Sequence, residues 1–460
     1  MTSNSEQQLR VAIVGAGPAG FYAAGYLLDA ERPVTVDLFD RLPTPFGLVR
    51  AGVAPDHPKI KSVVRVYEKT AAKAGFRFFG GVELGRDLHR ADLLERYDAV
   101  IYAIGAAVDR RLGIPGEDLS GSEAATDFVG WYNGHPDYPD HEFDLRDTER
   151  VVVIGNGNVA IDCARMLALS ADELRRTDCA DHAIDTLTSD AVKEIVILGR
   201  RGPAQASFTN PELLELGELE QADVHVDPAD VELDEASQAW LDSDEADKTR
   251  RENVRILREY AAREPAGKPK RIVLRFLTSP IELQGDERVE RIVVERNRLE
   301  PRDDGSLAAR PTGERETLDC GLVLRSIGYK GIPIPEVPFD ERRGTIPNVA
   351  GRVVDGEHHV TGEYVTGWIR RGPSGVIGTN KKDGQEAASS LLEDADAGLL
   401  NEPSADADIA DLLADRGVDA VSWEGWGRID AHEQELGAGT RPRVKLTRYE
   451  LLHGAARDER

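Results

Sequence analysis

Sulfur is scarce in this 460-residue chain, which has 3 cysteines and 2 methionines. Cys163, Cys179 and Cys320 form no CxxC pair. A redox-active disulfide, a cysteine-ligated iron–sulfur cluster and a four-cysteine zinc site therefore lack their ligands. Basic residues are also in deficit, with 57 Lys and Arg against 83 Asp and Glu and a formal net charge of −26. Such a field disfavours nucleic acid and anionic membranes as partners. No apolar run is long enough to span a bilayer, so no membrane association is expected. The first ten residues are polar, without the apolar stretch of a signal peptide or an arginine-rich presequence. A cytoplasmic location is the expectation. The remaining composition, 40% hydrophobic and 30% charged, suits a soluble globular enzyme. The length calls for two domains.

The chain is organised around residues 11–40. Val11-Ala12-Ile13-Val14 reads as a buried parallel strand. Gly15-Ala16-Gly17-Pro18-Ala19-Gly20 follows at once, then a small, apolar helix over 21–28. Gly15 permits a tight strand-to-helix turn. Gly17 lets the backbone approach a pyrophosphate, and Gly20 lets helix and strand pack closely. The helix N-terminus offers free N–H groups to phosphates. A second strand, 35–39, ends at Asp40, about 20 residues beyond the last glycine, where a dinucleotide's ribose hydroxyls are caught. This acid would repel a 2′-phosphate, so the first site should take FAD or NAD.

The plan occurs a second time. Val151-Val152-Val153-Ile154 opens the loop Gly155-Asn156-Gly157-Asn158-Val159-Ala160 and a helix through Asp162 and Leu167. The next strand, 194–198, ends at Gly199-Arg200-Arg201. Two guanidiniums there suit a 2′-phosphate, because arginine makes forked, charge-assisted bonds to phosphate oxygens. The second site should therefore prefer NADP. Two dinucleotide sites in one chain imply hydride passing between them.

Elsewhere, residues 42–50 and 54–59 read as proline-stiffened loops, 60–74 as a helix with basic residues on one side, and 76–79 and 82–84 as strands. An apolar strand over 98–105 ends in glycine. Residues 228–264 read as a charged, helical stretch, 271–283 and 288–297 as a hairpin pair, and 322–328 as a strand returning to the first domain. A loop over 372–380 feeds a helix from 381 to 392. From 401 the chain is an acidic tail with helical patches and no legible role.

Taken together, residues 15–20, 42–56, 78–80, 155–162, 200–205 and 367–380 resemble the adrenodoxin reductase family, most closely its bacterial NADPH–ferredoxin reductases of the mycobacterial type. The resemblance covers nearly the whole chain, and LPTPFGLVR and WIRRGPSGVIGTNKKD carry it more specifically than any glycine fingerprint. It implies an α/β fold of two Rossmann-like three-layer nucleotide-binding domains. The NADP domain (109–329) would be inserted into the FAD domain (1–108 and 330–460). It implies an FAD-dependent ferredoxin–NADP(+) reductase, passing hydride from NADPH to FAD and single electrons to an iron–sulfur protein.

By the same resemblance, Gly15, Gly17, Ala19, Gly20, Asp40, Leu48, Leu84, Trp368, Gly375, Val376 and Ile377 would hold FAD. Asn156, Gly157, Asn158, Val159, Arg200, Arg201, Glu212 and Gly375 would hold NADP, with Glu212 at the adenosine end. His57 and Asp162 match polar residues near the flavin, where either a proton-handling role or plain structural hydrogen bonding is open. Relatives tend to be monomers. A ferredoxin is usually acidic and needs a basic face on this acidic chain. On a helix, Arg251, Arg255 and Arg258 fall on one side and offer such a face, unless nearby glutamates pair with them. The rival readings are a disulfide reductase, a glutamate synthase flavoprotein, a flavin monooxygenase and a redox-silent flavin-binding module.

Overall fold

Val11, Ala12, Ile13 and Val14 are all buried, as a strand covered on both faces requires. In the computed structural model, which describes residues 8–244, 246–303, 306–375 and 377–458, they lie inside a seven-stranded sheet, between Val34–Asp40 and Ala99–Tyr102. Five of its strands are parallel, in the spatial order Phe76–Gly80, Val34–Asp40, Leu9–Val14, Ala99–Tyr102, His358–Val365. Arg352–Asp355 and Asn348–Val349 close one edge antiparallel. The helices Pro18–Leu28 and Ile377–Ala397 pack on one face. A Cβ on Gly384 would come within 2.9 Å of the Ala23 nitrogen, so these helices cross at glycine distance.

A second sheet has six parallel strands, Ala222–Val226, Lys270–Arg275, Glu194–Leu198, Arg150–Ile154, Leu322–Arg325 and Ser122–Ala124. A three-stranded antiparallel sheet, Thr278–Gln284, Arg291–Pro301 and Leu307–Asp319, is inserted before its strand Leu322–Arg325. In each parallel sheet the chain moves one way from the strand before the glycine loop and later returns on its other side. Both glycine loops thus sit at topological switch points, at the carboxyl ends of the strands, where open α/β sheets bind ligands.

Some sequence expectations are corrected here. Residues 82–84 are not a strand: Gly81 and Gly85 take left-handed φ values of +77° and +100°, and only Leu84 makes a bridge, to Leu88. The run 271–283 divides at Leu277, whose φ of +52° turns the chain from the parallel sheet into the antiparallel one. The stretch 60–74 holds two helices, Pro58–Lys61 and Val64–Ala71, and 228–264 holds Glu235–Asp242 and Lys248–Ala261 after a short 3-10 turn. The tail forms the helices Ile409–Asp415, Trp423–Gly437 and Tyr449–Arg457. Trp426, Ile429 and Leu452 of this tail are buried in the same core as Val11 and Phe21.

Candidate active site

At the first glycine loop, Gly15 has φ +111°, and a Cβ there would meet the Ala103 carbonyl oxygen at 2.4 Å. The turn therefore admits glycine alone. Gly17 caps the helix Pro18–Leu28, and nothing lies within 4 Å of where its Cβ would stand. Pro18 at the first helical position has no N–H to leave unsatisfied, while the amides that follow face outward as donors. Asp40 is half-buried and holds this loop directly. Its carboxylate accepts the N–H of Ala16 at 2.8 Å and of Leu42 at 2.9 Å. Burial pushes its pKa up against those bonds.

A loop over residues 42–52 covers the glycine turn. The Phe46 N–H donates to the Ala16 carbonyl at 2.8 Å, and a Cβ on Gly47 would lie 3.0 Å from Gly17 Cα. Phe46 itself sits at φ +83°, a conformation that costs a non-glycine residue on the order of 1–3 kcal/mol. Its ring is fixed among Phe21, Tyr67, Trp423 and Trp426, with centroids 5.5–6.1 Å away. Leu48, 47% exposed, opens the short helix that follows.

A third segment converges here from the end of the strand His358–Val365. Gly367 has φ +74°, and its Cβ would strike that of Ala19 at 2.7 Å. Trp368 follows, stacked on Tyr329 at 5.9 Å, and its buried indole N–H meets no acceptor among the described residues. Arg371 ties this turn to the long helix through Asp383 and Asn380, at 2.5 and 3.0 Å. Gly375 takes φ +78°, and Ile377 starts the helix Ile377–Ala397. Val376 lies outside the described residues.

The second glycine loop repeats the geometry. Gly155 (φ +134°) lies against the Ser326 carbonyl, and Gly157 caps the helix Asn158–Ala168 facing open space. Asn156 and Asn158 hold the segment opposite: the Asn156 carbonyl accepts the Ser207 N–H, and Asn158 Oδ1 accepts the Thr209 N–H, both at 2.8 Å. Arg200 and Arg201 are exposed. Among the described residues neither meets a carboxylate, in a chain where most arginines do. Their main chain is locked, since the Arg200 carbonyl accepts from Asn297 and the Arg201 carbonyl from Leu277. Burial, and then the like charges of Arg200, Arg250 and Arg302, lower the pKa of Arg201. Four guanidiniums thus gather beyond the second strand. Arg250 and Arg302 were beyond sequence reasoning, because only folding brings residues 50 and 100 positions away to this strand end.

Between the two loops lies a buried charge network. Arg165, 2% exposed, donates to Asp56 (2.6 and 3.1 Å), Asp162 (2.8 Å) and Glu212 (3.1 Å), and touches His57. His57 Nε2 is 3.4 Å from Glu212, 3.5 Å from Asp162 and 3.6 Å from Glu215. Four carboxylates around one guanidinium leave an excess of negative charge. Burial opposes protonation of His57, but Asp162 and Glu212 outweigh it and raise its pKa to about 10. Asp56 and Glu212 are held below the usual carboxylate range, the effect of burial overcome by Arg165 and His57 respectively.

A model of the pyridine nucleotide-disulphide oxidoreductase family matches residues 9–197. The NADPH-ferredoxin reductase FprA of Mycobacterium tuberculosis is 51% identical over 449 residues, 95% of this chain and 96% of that one. The mitochondrial NADPH:adrenodoxin oxidoreductase of Arabidopsis thaliana is 40% identical over 99% of this chain and 97% of its own. This chain belongs to the adrenodoxin reductase family. The solved structure of M. tuberculosis FprA in complex with NADPH superposes with a TM-score of 0.91 at 49% identity, over 98% of this chain and 100% of that one.

Within this family frame, the structure brings His57 and Asp162 together and adds Asp56, Arg165 and Glu215. Arg165 was legible only as the i, i+3 partner of Asp162 on its helix. Glu212, expected at the adenosine end, instead lies in the His57 network, and none of its bonds among the described residues reaches Arg200 or Arg201. The basic helix face is also corrected. Arg255 is neutralised by Glu252 at 2.6 Å and by Glu259, and Arg251 donates to the carbonyls of Leu241 and Ser243. Arg258 is exposed and meets no carboxylate among the described residues. All three cysteines are buried and unpaired.

Proposed function

We propose that this chain is an FAD-dependent NADPH–ferredoxin reductase. The observation that carries the reading is the pair of glycine loops at switch points with opposite charge beyond them, Asp40 at one and Arg200-Arg201 at the other. The residues present fit both groups. Gly17 and Gly157 face open space, and among the described residues the Trp368 N–H meets no acceptor and the guanidiniums beyond the second loop meet no carboxylate. When bound, NADPH would supply a hydride and FAD would accept it and release electrons singly.

The chain's own part is positional. Gly17 and the helix amides after it would seat the FAD pyrophosphate, with Ala19, Gly20, Leu48, Leu84, Trp368, Gly375, Val376 and Ile377 around the rest. Asp40 would take a ribose hydroxyl while keeping Ala16 and Leu42 in place. Asn156, Gly157, Asn158 and Val159 would seat the NADP pyrophosphate, and Arg200 and Arg201 the 2′-phosphate. His57, charged and walled by Asp162 and Glu212, keeps a proton at the meeting of the two halves. Hydride transfer needs no acid or base, so geometry is the main catalytic device. We assign 1–108 and 330–460 to the FAD domain and 109–329 to the NADP domain. In support, the two chain crossings pair with each other, Val108–Asp109 antiparallel to Tyr329–Lys330.

The acceptor would be an iron–sulfur protein. We place Arg258, exposed and meeting no carboxylate among the described residues, on its docking face, where Arg251 and Arg255 are already engaged within the chain. We take the working unit to be a cytoplasmic monomer. Among the described residues no helix is long and apolar enough to cross a membrane. The deciding experiment is cytochrome c reduction driven by NADPH, with and without added ferredoxin. Ferredoxin-dependent turnover supports the reading. A protein whose flavin is not bleached by NADPH refutes it, and NADPH oxidation that yields a hydroxylated product points to a monooxygenase instead.

A further inference from the structure

The C-terminal segment touches both halves of the molecule through charged groups that are out of contact with water. Glu433 is fully buried and accepts from both terminal nitrogens of Arg50, at 2.5 and 2.8 Å. Arg50 belongs to the loop that covers the first glycine turn. Lys445, 5% exposed, donates to the Arg50 carbonyl at 3.1 Å and to Asn133 at 3.2 Å, and pairs with Asp178 at 3.1 Å. Asn133 and Asp178 belong to the second body. Lys61 joins the same carboxylate at 2.7 Å. On the rim, Asp137 accepts from Arg41 at 2.7 Å and from Tyr449 at 2.6 Å, and Arg448 pairs with Asp140.

The aromatic contacts point the same way. Trp423 and Trp426 are part of the cluster that fixes Phe46 in its left-handed conformation. A strained residue persists only where its surroundings over-determine it, and here the tail supplies half of those surroundings. A merely solvating acidic tail would show none of this. Buried charges are retained at a desolvation cost, which makes their placement specific.

We propose that residues 422–457 act as a coupling clamp between the two nucleotide sites. Glu433 and Lys445 are positioning residues that hold the loop 42–52 over the first glycine turn. Asp178 receives the same segment on the second body, so one element sets both flavin retention and the alignment of the two sites. The proposal rests on the reductase reading for what the sites bind, and not for the clamp itself.

The test uses full-length protein and three single variants. Glu433→Gln leaves Arg50 without its counter-charge and should release FAD about ten-fold faster, read as free-flavin fluorescence after dilution. Its half-saturating NADPH concentration should stay at the wild-type value. Asp178→Asn should keep FAD at the wild-type rate and slow bleaching of the flavin by saturating NADPH about ten-fold, because misalignment acts on the transfer step. Tyr449→Phe is a surface change that leaves the core intact. Like Glu433→Gln, it should speed hydrogen exchange of the backbone amides of 42–52, both with flavin and before flavin is added. Wild-type flavin release in E433Q, or wild-type bleaching in D178N, overturns the clamp. So do equal losses of both properties that merely track a fall in Tm. Unchanged exchange of 42–52 in E433Q before flavin is added overturns it without reference to any bound nucleotide, which separates this failure from failure of the reductase reading.

Discussion

Replacing Arg201 by alanine is the sharpest probe of coenzyme choice. The side chain has no carboxylate partner among the described residues, and after burial the three neighbouring guanidiniums of Arg200, Arg250 and Arg302 lower its pKa. Its removal therefore breaks no side-chain hydrogen bond or ion pair among the described residues and relieves repulsion. Against a 2′-phosphate it would make a charge-assisted hydrogen bond, worth about 1.5–3 kcal/mol. The group is exposed, and solvent screening favours the lower end of that range. The KM for NADPH should then rise about ten-fold or more, while that for NADH, which lacks the phosphate, should change less than about two-fold. Thermal melting without nucleotide should stay at or above the wild-type Tm, since the Arg201 main chain is still held by Leu277. Steady-state kinetics with both coenzymes and one melting curve suffice. Equal rises for NADH and NADPH would show that Arg201 does not read the 2′-phosphate. A clear fall in Tm would show that its role is structural.

Other outcomes follow from the same geometry. Asp40→Ala should yield paler protein, regaining activity when FAD is added, and Asp40→Asn should retain more flavin, because the amide oxygen can still accept one of the two loop N–H groups. His57 has its pKa raised in the fold from about 6.5 to about 10. Its contribution to stability is fully present below pH 6.5 and is lost as pH rises through 10, so the Tm advantage of wild type over His57→Gln should shrink across that window. Lys445 runs the other way. Full burial, and Lys61 competing for Asp178, lower its pKa from 10.5 to about 7. Between pH 7 and 10.5 the unfolded chain binds the extra proton, so this group makes stability rise with pH, and Lys445→Met should remove that rise. Arg258→Glu should raise the KM for ferredoxin at low salt, with little effect on reduction of a small neutral quinone. The difference should fade as salt screens charges beyond about 10 Å.

What the sequence made legible was local. Gly15 and Gly20 do the turn and packing tasks their spacing implies because a strand–turn–helix unit is fixed by its own residues. The parallel strands were visible because burial on both faces leaves an unbroken apolar run, as in 99–102 and 151–154. The contact of Glu212 with His57 was not legible, for the opposite reason. Its helix places it i, i+3 from Glu215, but the helix's orientation toward His57 is set by Thr209 binding Asn158, a contact across 51 residues. The pairing of Arg255 acts on a nearer scale. Arg255 has glutamates three residues before and four residues after it, and such neighbours pair within the helix.

The acidic tail shows most clearly where sequence reading stops. Glu433 and Lys445 look like ordinary surface charges, set in a stretch full of them. Their partners, Arg50 and Asp178, lie 383 and 267 positions away, and neither pair has any local signature. Apolar spacing gave no warning either, since Trp423 and Trp426 are isolated aromatics among polar residues. Yet the burial of Glu433 follows from chemistry the sequence does state. The loop 42–52 is stiffened by Pro43 and Pro45 and carries Arg50, whose charge must be answered wherever the loop is covered. Arg50 lies over the Trp426 ring at 5.2 Å as well as against Glu433. One cation thus recruits both an aromatic face and a carboxylate from the same C-terminal helix, and that helix cannot leave without exposing the loop over the first glycine turn.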